Sequence, residues 1–314
     1  MTNQPVTMQG SCIAVTGAWG NLGTKLLQHL SASGCAHLLG IDAQQVPDGL
    51  LEKLHSAAVE AGHPPPIIEA IRGDLTDWQD HRWRDGLARA DGVVHFAAQN
   101  PFPEASWDDA CASIDMNLHV GEAALASGTT RLVFASSNHV MGRYRTAGLG
   151  PGELTPDLMP GVGTIWQAGM TQMDSTVYAM AKIAGERICH GVAARSEGRL
   201  SCVCIRIGWC QPGQNHPSTL NASGTPTQAS VAAEDEESAA TGRWFRGMWL
   251  SNRDFCQLHE LALVTPRGAW PSDCLLVNGV SGNRDSVWSL ESARRWLRYE
   301  PVDDVEASSS SISR

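Results

Sequence analysis

Two sets of residues have the types and spacing to do chemistry. The first is Tyr178-Ala-Met-Ala-Lys182, with Ser136-Ser137 at the end of an earlier apolar run. Tyr178 and Lys182 are four residues apart, so on a helix they share one face. Tyrosine is a poor base at its ordinary pKa of ~10. A neighbouring ammonium stabilises the phenolate and draws that pKa toward neutrality. A serine hydroxyl at a strand end can hold the oxygen that loses the proton. The three together suit hydride transfer, in which a hydroxyl proton must leave as its carbon gives up hydride. The second set is Gly17, Gly20 and Gly23, between the apolar run Cys12 to Val15 and a helical pattern from Thr24 to Leu30. A second apolar run, Ala36 to Ile41, follows and ends on Asp42. Strand, glycine turn, helix, strand and acid is how a βαβ unit holds a dinucleotide. Gly17 makes the tight turn, Gly20 admits the pyrophosphate, and Gly23 lets helix and sheet pack. The pyrophosphate then sits on free amides at the helix N-terminus. A carboxylate at Asp42 accepts hydrogen bonds from the adenosine 2′-hydroxyl and repels a 2′-phosphate, which selects NAD over NADP.

These groups need a scaffold, and the periodicity supplies one. Strands are expected at 11–16, 36–41, 67–71, 92–97, 131–135, 201–207 and 274–278. Helices are expected at 21–32, 48–61, 76–90, 104–127, 178–191, 253–263 and 289–297. Such alternation implies an α/β fold, a parallel sheet covered on both faces. Residues 142–173 are rich in glycine and proline with little period, and read as a long loop at the mouth of a site. Residues 211–242 are polar, contain the run Glu234-Asp235-Glu236-Glu237, and read as a solvated insertion.

The chain of 314 residues is long enough for a full core. Its formal net charge of −10 argues against nucleic acid and against an anionic membrane surface. No apolar run is long enough to span a bilayer, and the polar start does not read as a signal peptide. Nine cysteines without a C-x-x-C pair fit core thiols in a reducing cytoplasm. The histidines form no ligand pattern, so no metal is expected.

The chain resembles the extended short-chain dehydrogenase/reductase superfamily, of the NAD-dependent epimerase/dehydratase type. The resemblance covers nearly all of residues 11–303, and the three-glycine spacing is the one expected there. It implies a Rossmann-type parallel sheet flanked by helices, with a small C-terminal substrate-binding region. The whole of 1–314 would be one such domain: 10–208 mainly the dinucleotide-binding core, 209–303 mainly the substrate region, and 304–314 a disordered tail. Gly17, Trp19, Gly20, Asn21, Leu22, Gly23 and Asp42 would meet the cofactor. Asp74 and Leu75 would meet the adenine, Ala97, Ala98 and Gln99 would line the cofactor after the fourth strand, and Asn117 would lie beneath the nicotinamide side. Ser137, Tyr178 and Lys182 would be catalytic. The superfamily also implies a homodimer.

A narrower resemblance is to uronate dehydrogenases. It rests on Phe134-Ala-Ser-Ser-Asn-His-Val-Met-Gly142, Ile205-Arg-Ile-Gly208, Trp249-Leu-Ser-Asn-Arg-Asp-Phe255 and Gly279-Val-Ser-Gly-Asn283. Those enzymes oxidise C1 of a pyranose uronic acid to an aldarolactone with NAD. The resemblance implies that Ser137, Asn138 and His139 touch the sugar and that His95 borders the pocket. It also implies that an arginine before the W-L-S segment grips the carboxylate. Arg243 and Arg246 are both candidates, with Arg246 favoured. The chain departs from the family in extra residues around 47–65, 145–173 and 214–242. It also departs at Trp209, where a smaller residue is expected. Arg206, inside a strand, is expected to pair with an acid. The function expected is oxidation of a sugar or sugar-acid hydroxyl. A nucleotide-sugar epimerase or dehydratase that keeps its NAD is the alternative. A third reading is a dinucleotide-binding sensor without turnover.

Overall fold

A computed structural model of the chain describes residues 6–99, 105–168, 170–220, 236–268 and 270–307. Seven parallel strands form the central sheet: β1 (Cys12–Thr16), β2 (His37–Asp42), β3 (Ile67–Arg72), β4 (Gly92–His95), β5 (Arg131–Ser137), β8 (Ser201–Ile207) and β9 (Cys274–Gly279). Their order is β3-β2-β1-β4-β5-β8-β9. The chain winds outward from β1 to one edge and then from β4 to the other. The C-terminal ends of β1 and β4 therefore border the crevice where open parallel sheets bind ligands.

The strands are apolar almost throughout because helices cover both faces. On one face lie α1 (Asn21–Ala32), α2 (Leu50–Glu60), α7 (Asn252–Val264) and α8 (Glu291–Leu297), whose Leu26, Leu30, Leu54, Phe255, Leu258 and Leu297 pack on Ile13, Val15 and Val203. On the other lie α3 (His81–Leu87), α4 (Trp107–Ala126) and α5 (Thr176–Arg195), whose Trp83, Val120, Cys189 and Val192 pack on Val93, Phe134 and Cys204. α4 begins at a reciprocal cap: the Asp109 amide donates to Ser106 Oγ, and the Ser106 amide donates to Asp109 Oδ2. Arg206 is fully buried on β8 and donates twice to Glu186 of α5, at 2.9 and 3.0 Å. The expected acid partner is therefore present.

Several expectations are corrected. The third helix starts at His81, not residue 76, because Asp77 and Asp80 close turns over the preceding residues and Asp80 caps the helix. Segment 142–173 is not a plain loop. A 3-10 helix spans Asn138–Thr146, and β6 (Ile165–Ala168) pairs antiparallel with β7 (Thr171–Asp174). The 211–242 insertion ends in a helix, α6 (Glu236–Gly247). Residues 221–235, which hold the first half of the acidic run, lie outside the described residues. The expected disordered tail cannot start at 304, because Val305 is 2 % exposed against Leu220 and Trp249. Beyond 307 the tail lies outside the described residues. The strand expected at 274–278 is present as β9 and forms one edge of the sheet.

Candidate active site

The glycine turn joins β1 to α1. Gly17 has φ +64°, and a Cβ there would stand 2.8 Å from the Ala97 nitrogen. A Cβ on Gly23 would stand 2.3 Å from the Gly17 carbonyl oxygen. Only glycine fits either place. Gly20 caps α1 without a side chain, and no acid occupies the first turn. The first amides of α1 are thus left to an anion, which suits a pyrophosphate. At the end of β2, Asp42 accepts the Trp19 amide at 3.0 Å and the Gln44 amide at 2.9 Å. These bonds hold its carboxylate against the cleft. The cleft encloses about 620 Å³ and runs from Asp42 and Asp74, past Ala97 to Gln99, to Tyr178. An extended dinucleotide fits this shape, and the donor set is the one it needs.

At the far end stand the proton-handling groups. Ser137 closes β5, and its Oγ accepts the His139 amide at 3.2 Å. Tyr178 and Lys182 project from α5. Burial pushes Tyr178 up to about 12, and a hydrogen bond with Ser137 works against that rise. Burial pulls Lys182 down to about 8. Its Nζ donates to the Ala135 carbonyl at 2.8 Å and lies 5.7 Å from the Tyr178 ring centroid. The sequence argument expected the lysine to draw Tyr178 toward neutrality. Here burial sets the direction of the Tyr178 shift, upward, and the ammonium is turned toward the main chain.

Two further walls complete the site. His139 Nδ1 lies 2.8 Å from Thr164 Oγ1 and 2.9 Å from Ser175 Oγ, and burial holds the imidazole down at about 4. Its ring stacks on Trp166 and meets Tyr178 edge-on. Asn138 donates from Nδ2 to the Ile207 carbonyl, and its buried Oδ1 has no partner. Trp209 and the stretch Gly208 to Pro212 close the other side.

Residues 13–218 match the model of the NAD dependent epimerase/dehydratase family. The chain belongs to this family. It is 31% identical over 293 residues to the L-arabinose 1-dehydrogenase (NAD(P)(+)) of Haloferax volcanii, covering 93% of this chain and 96% of that one. It is 28% identical over 298 residues to the uronate dehydrogenase of Pseudomonas putida, covering 94% and 85%. The solved structure of a mutated uronate dehydrogenase superposes with a TM-score of 0.63 at 23% identity, covering 96% and 85%. The protein is therefore an NAD-dependent enzyme of the sugar dehydrogenase and epimerase kind.

Most residues expected at a family active site line the cleft: Gly17, Gly20, Asn21, Leu22, Gly23, Asp42, Asp74, Leu75, Ala97, Ala98, Gln99, Ser137, Asn138, His139, Tyr178, Lys182 and Trp209. Five do not. The Trp19 indole covers Gly40, where a Cβ would stand 2.2 Å from the ring, and only its amide serves the site, through Asp42. His95 does not border the pocket. It is 2 % exposed beneath it, bridging Thr16 Oγ1 at 2.6 Å and Asn117 Oδ1 at 2.9 Å. Asn117 likewise stands behind the lining, as the far end of that bridge. Strand alternation is the reason: Phe96 turns to the α7 face, so His95 must turn to α4. Arg243 pairs with Glu236 on the exposed side of α6. Arg246 donates to Glu306 of the C-terminal segment at 2.8 and 3.0 Å. Neither lines the cleft, because the buried face of α6 is taken by Trp244 and Phe245. Sequence reasoning missed Trp166, Gln44 and the pair Thr164 and Ser175. The one available signal was Trp166, a large aromatic in a glycine-rich stretch.

Proposed function

We propose that the chain is an NAD-dependent dehydrogenase that oxidises the C1 hydroxyl of a pyranose sugar to a lactone. The observation that carries this reading is the convergence of Ser137, Tyr178 and Lys182 at one end of the dinucleotide-shaped cleft. Bound NAD supplies the hydride acceptor. Ser137 and Tyr178 hold the substrate hydroxyl, and Tyr178 takes its proton. The C1–H bond breaks with its electron pair leaving as hydride, and the C1–O bond becomes a carbonyl. Lys182 supports the phenolate electrostatically, and Asn138 and His139 orient the sugar. Asp42 favours NAD over NADP. The names of the relatives, an arabinose 1-dehydrogenase and a uronate dehydrogenase, support a sugar, and the first of them supports C1.

The test is to supply NAD with a panel of aldoses and uronic acids and to follow NADH by absorbance. Release of NADH with a sugar is expected. Cofactor retained through purification, with no NADH released on any sugar, refutes the reading and favours an epimerase.

A further inference from the structure

We infer that the substrate is an uncharged, unphosphorylated sugar, held against an aromatic wall in which Trp209 is the specificity-determining residue. The inference rests on the dehydrogenase reading and narrows its substrate.

The first ground is the charge of the cleft. Among the described residues, Lys182 is the one cationic side chain in the lining. Its Nζ already serves the Ala135 carbonyl beside Tyr178, at the reacting end. His139 is neutral. The two arginines that precede the Trp249 segment pair with Glu236 and Glu306 instead. Residues 1–5, 100–104, 169, 221–235, 269 and 308–314 bring a single Lys or Arg by sequence, Arg314. A carboxylate or phosphate on the sugar would find no guanidinium and no further ammonium in the lining around Ser137, Tyr178 and Trp209 to pair with, and a partly desolvated anion without such a partner binds at a cost.

The second ground is what stands there instead. His139 stacks on Trp166 with centroids 5.8 Å apart and planes 18° apart. Trp166 meets Phe245 of α6 at 5.2 Å, and Phe245 meets Trp209 edge-on at 4.9 Å. This relay packs the 3-10 segment, the β6–β7 hairpin, α6 and the stretch after β8 into one wall. Trp209 is fixed at its main chain as well: its amide donates to Met248, and its carbonyl accepts from Leu250. It is half-buried, so part of its indole remains for the cleft. An indole face packs against the C–H face of a pyranose without demanding charge.

The experiment uses matched sugars that differ only in charge: glucose, glucuronate and glucose 6-phosphate, with galactose, galacturonate and arabinose alongside. Initial rates are read with saturating NAD, and binding to the NAD-loaded protein is read by calorimetry. The kcat/KM of each charged sugar is expected to lie about a hundredfold or more below its neutral counterpart, the scale of an unpaired buried charge. Trp209→Ala is expected to raise the sugar KM about tenfold, the loss of one good aromatic contact. The KM for NAD should stay unchanged, and Trp209→Phe should recover most of the sugar KM. A uronate or sugar phosphate that matches its neutral counterpart overturns the inference, as does an unchanged sugar KM in Trp209→Ala. Neutral sugars that bind in the calorimeter without NADH release uphold the substrate class and refute the dehydrogenase reading. No binding of any neutral sugar overturns the inference.

Discussion

Lys182 donates to the carbonyl of Ala135 at 2.8 Å, while its ammonium stands 5.7 Å from the centre of the Tyr178 ring. With no direct bond to the phenol, the lysine's role in the proposed reaction is through its field. Such an effect exists only while the lysine is charged, and burial draws its pKa down to about 8. Lys182→Met should lower kcat at saturating NAD most strongly near neutral pH. The ratio of wild type to variant should shrink as pH rises past about 8, where the wild-type ammonium is itself lost. Steady-state kcat measured across that range checks this; a ratio that stays flat with pH means the lysine does not work by charge.

In the proposed reaction Tyr178 takes the proton as its phenolate, a form that burial disfavours by pushing the pKa up to about 12. Tyr178→Phe keeps the ring and its edge contact with His139, so the fold should be untouched. The rate should fall by about a hundredfold or more, the usual share of a general base. Turnover and thermal melting measured on the same sample separate the two effects. Unchanged turnover in the variant would remove Tyr178 from the proton transfer.

The nucleotide half of the site was legible because local chemistry dictates it. Gly17 and Gly23 are needed where a Cβ would strike backbone, and Tyr178 and Lys182 share a helix face by spacing alone. The substrate half depends on long-range packing, which spacing does not reveal. His95 was misplaced because its neighbour at a strand end decides which way it turns. Arg246 was misplaced because the long insertion before α6 hides the helix register, and Trp244 and Phe245 take the inward positions. Trp166 lies in a hairpin that joins the site only through its ring contacts with His139 and Phe245.

Asp42 holds its place through the amides of Trp19 and Gln44. Asp42→Ala removes the carboxylate that would repel a 2′-phosphate. The ratio of kcat/KM for NADP to that for NAD should rise by at least about tenfold, equivalent to ~1.4 kcal/mol. Parallel titrations with the two cofactors measure it, and an unchanged ratio removes Asp42 from cofactor selection.

Glu186 and Arg206 are both almost fully buried, and Ser136 Oγ donates to the same carboxylate at 2.6 Å. Ser136 precedes the proposed catalytic serine, so the ion pair fixes the end of β5 against α5. Glu186→Gln leaves the guanidinium buried without a counter-charge. Breaking one side of such a pair costs about 3–5 kcal/mol. Urea unfolding should show a loss on that scale, with little change in the sugar KM of the folded fraction. A loss below ~1 kcal/mol would mean that water or the Pro156 carbonyl, already 3.3 Å from the guanidinium, compensates.

Three buried histidines are expected to make the fold sensitive to acid. Burial lowers His95 to about 3, with the Lys182 charge adding to the effect, and burial lowers His139 and His259 to about 4. Each stays neutral in the folded chain, while the unfolded chain protonates them from their ordinary 6.5 downward. The unfolded state therefore binds more protons between about 6.5 and about 3, and stability falls as pH drops through that window. The melting temperature should decline from about pH 7 to about pH 5, well above the ordinary carboxylate range. His259 gives the means of attribution. Its Nδ1 bonds the Phe255 carbonyl, its Nε2 is buried without a partner, and its ring packs on Phe96 and Phe255 away from the reacting groups. His259→Leu removes one of the three protonation sites and fills the same apolar space. Its melting temperature should fall less steeply over the same pH interval. Identical slopes for the two proteins would remove His259 from the acid response.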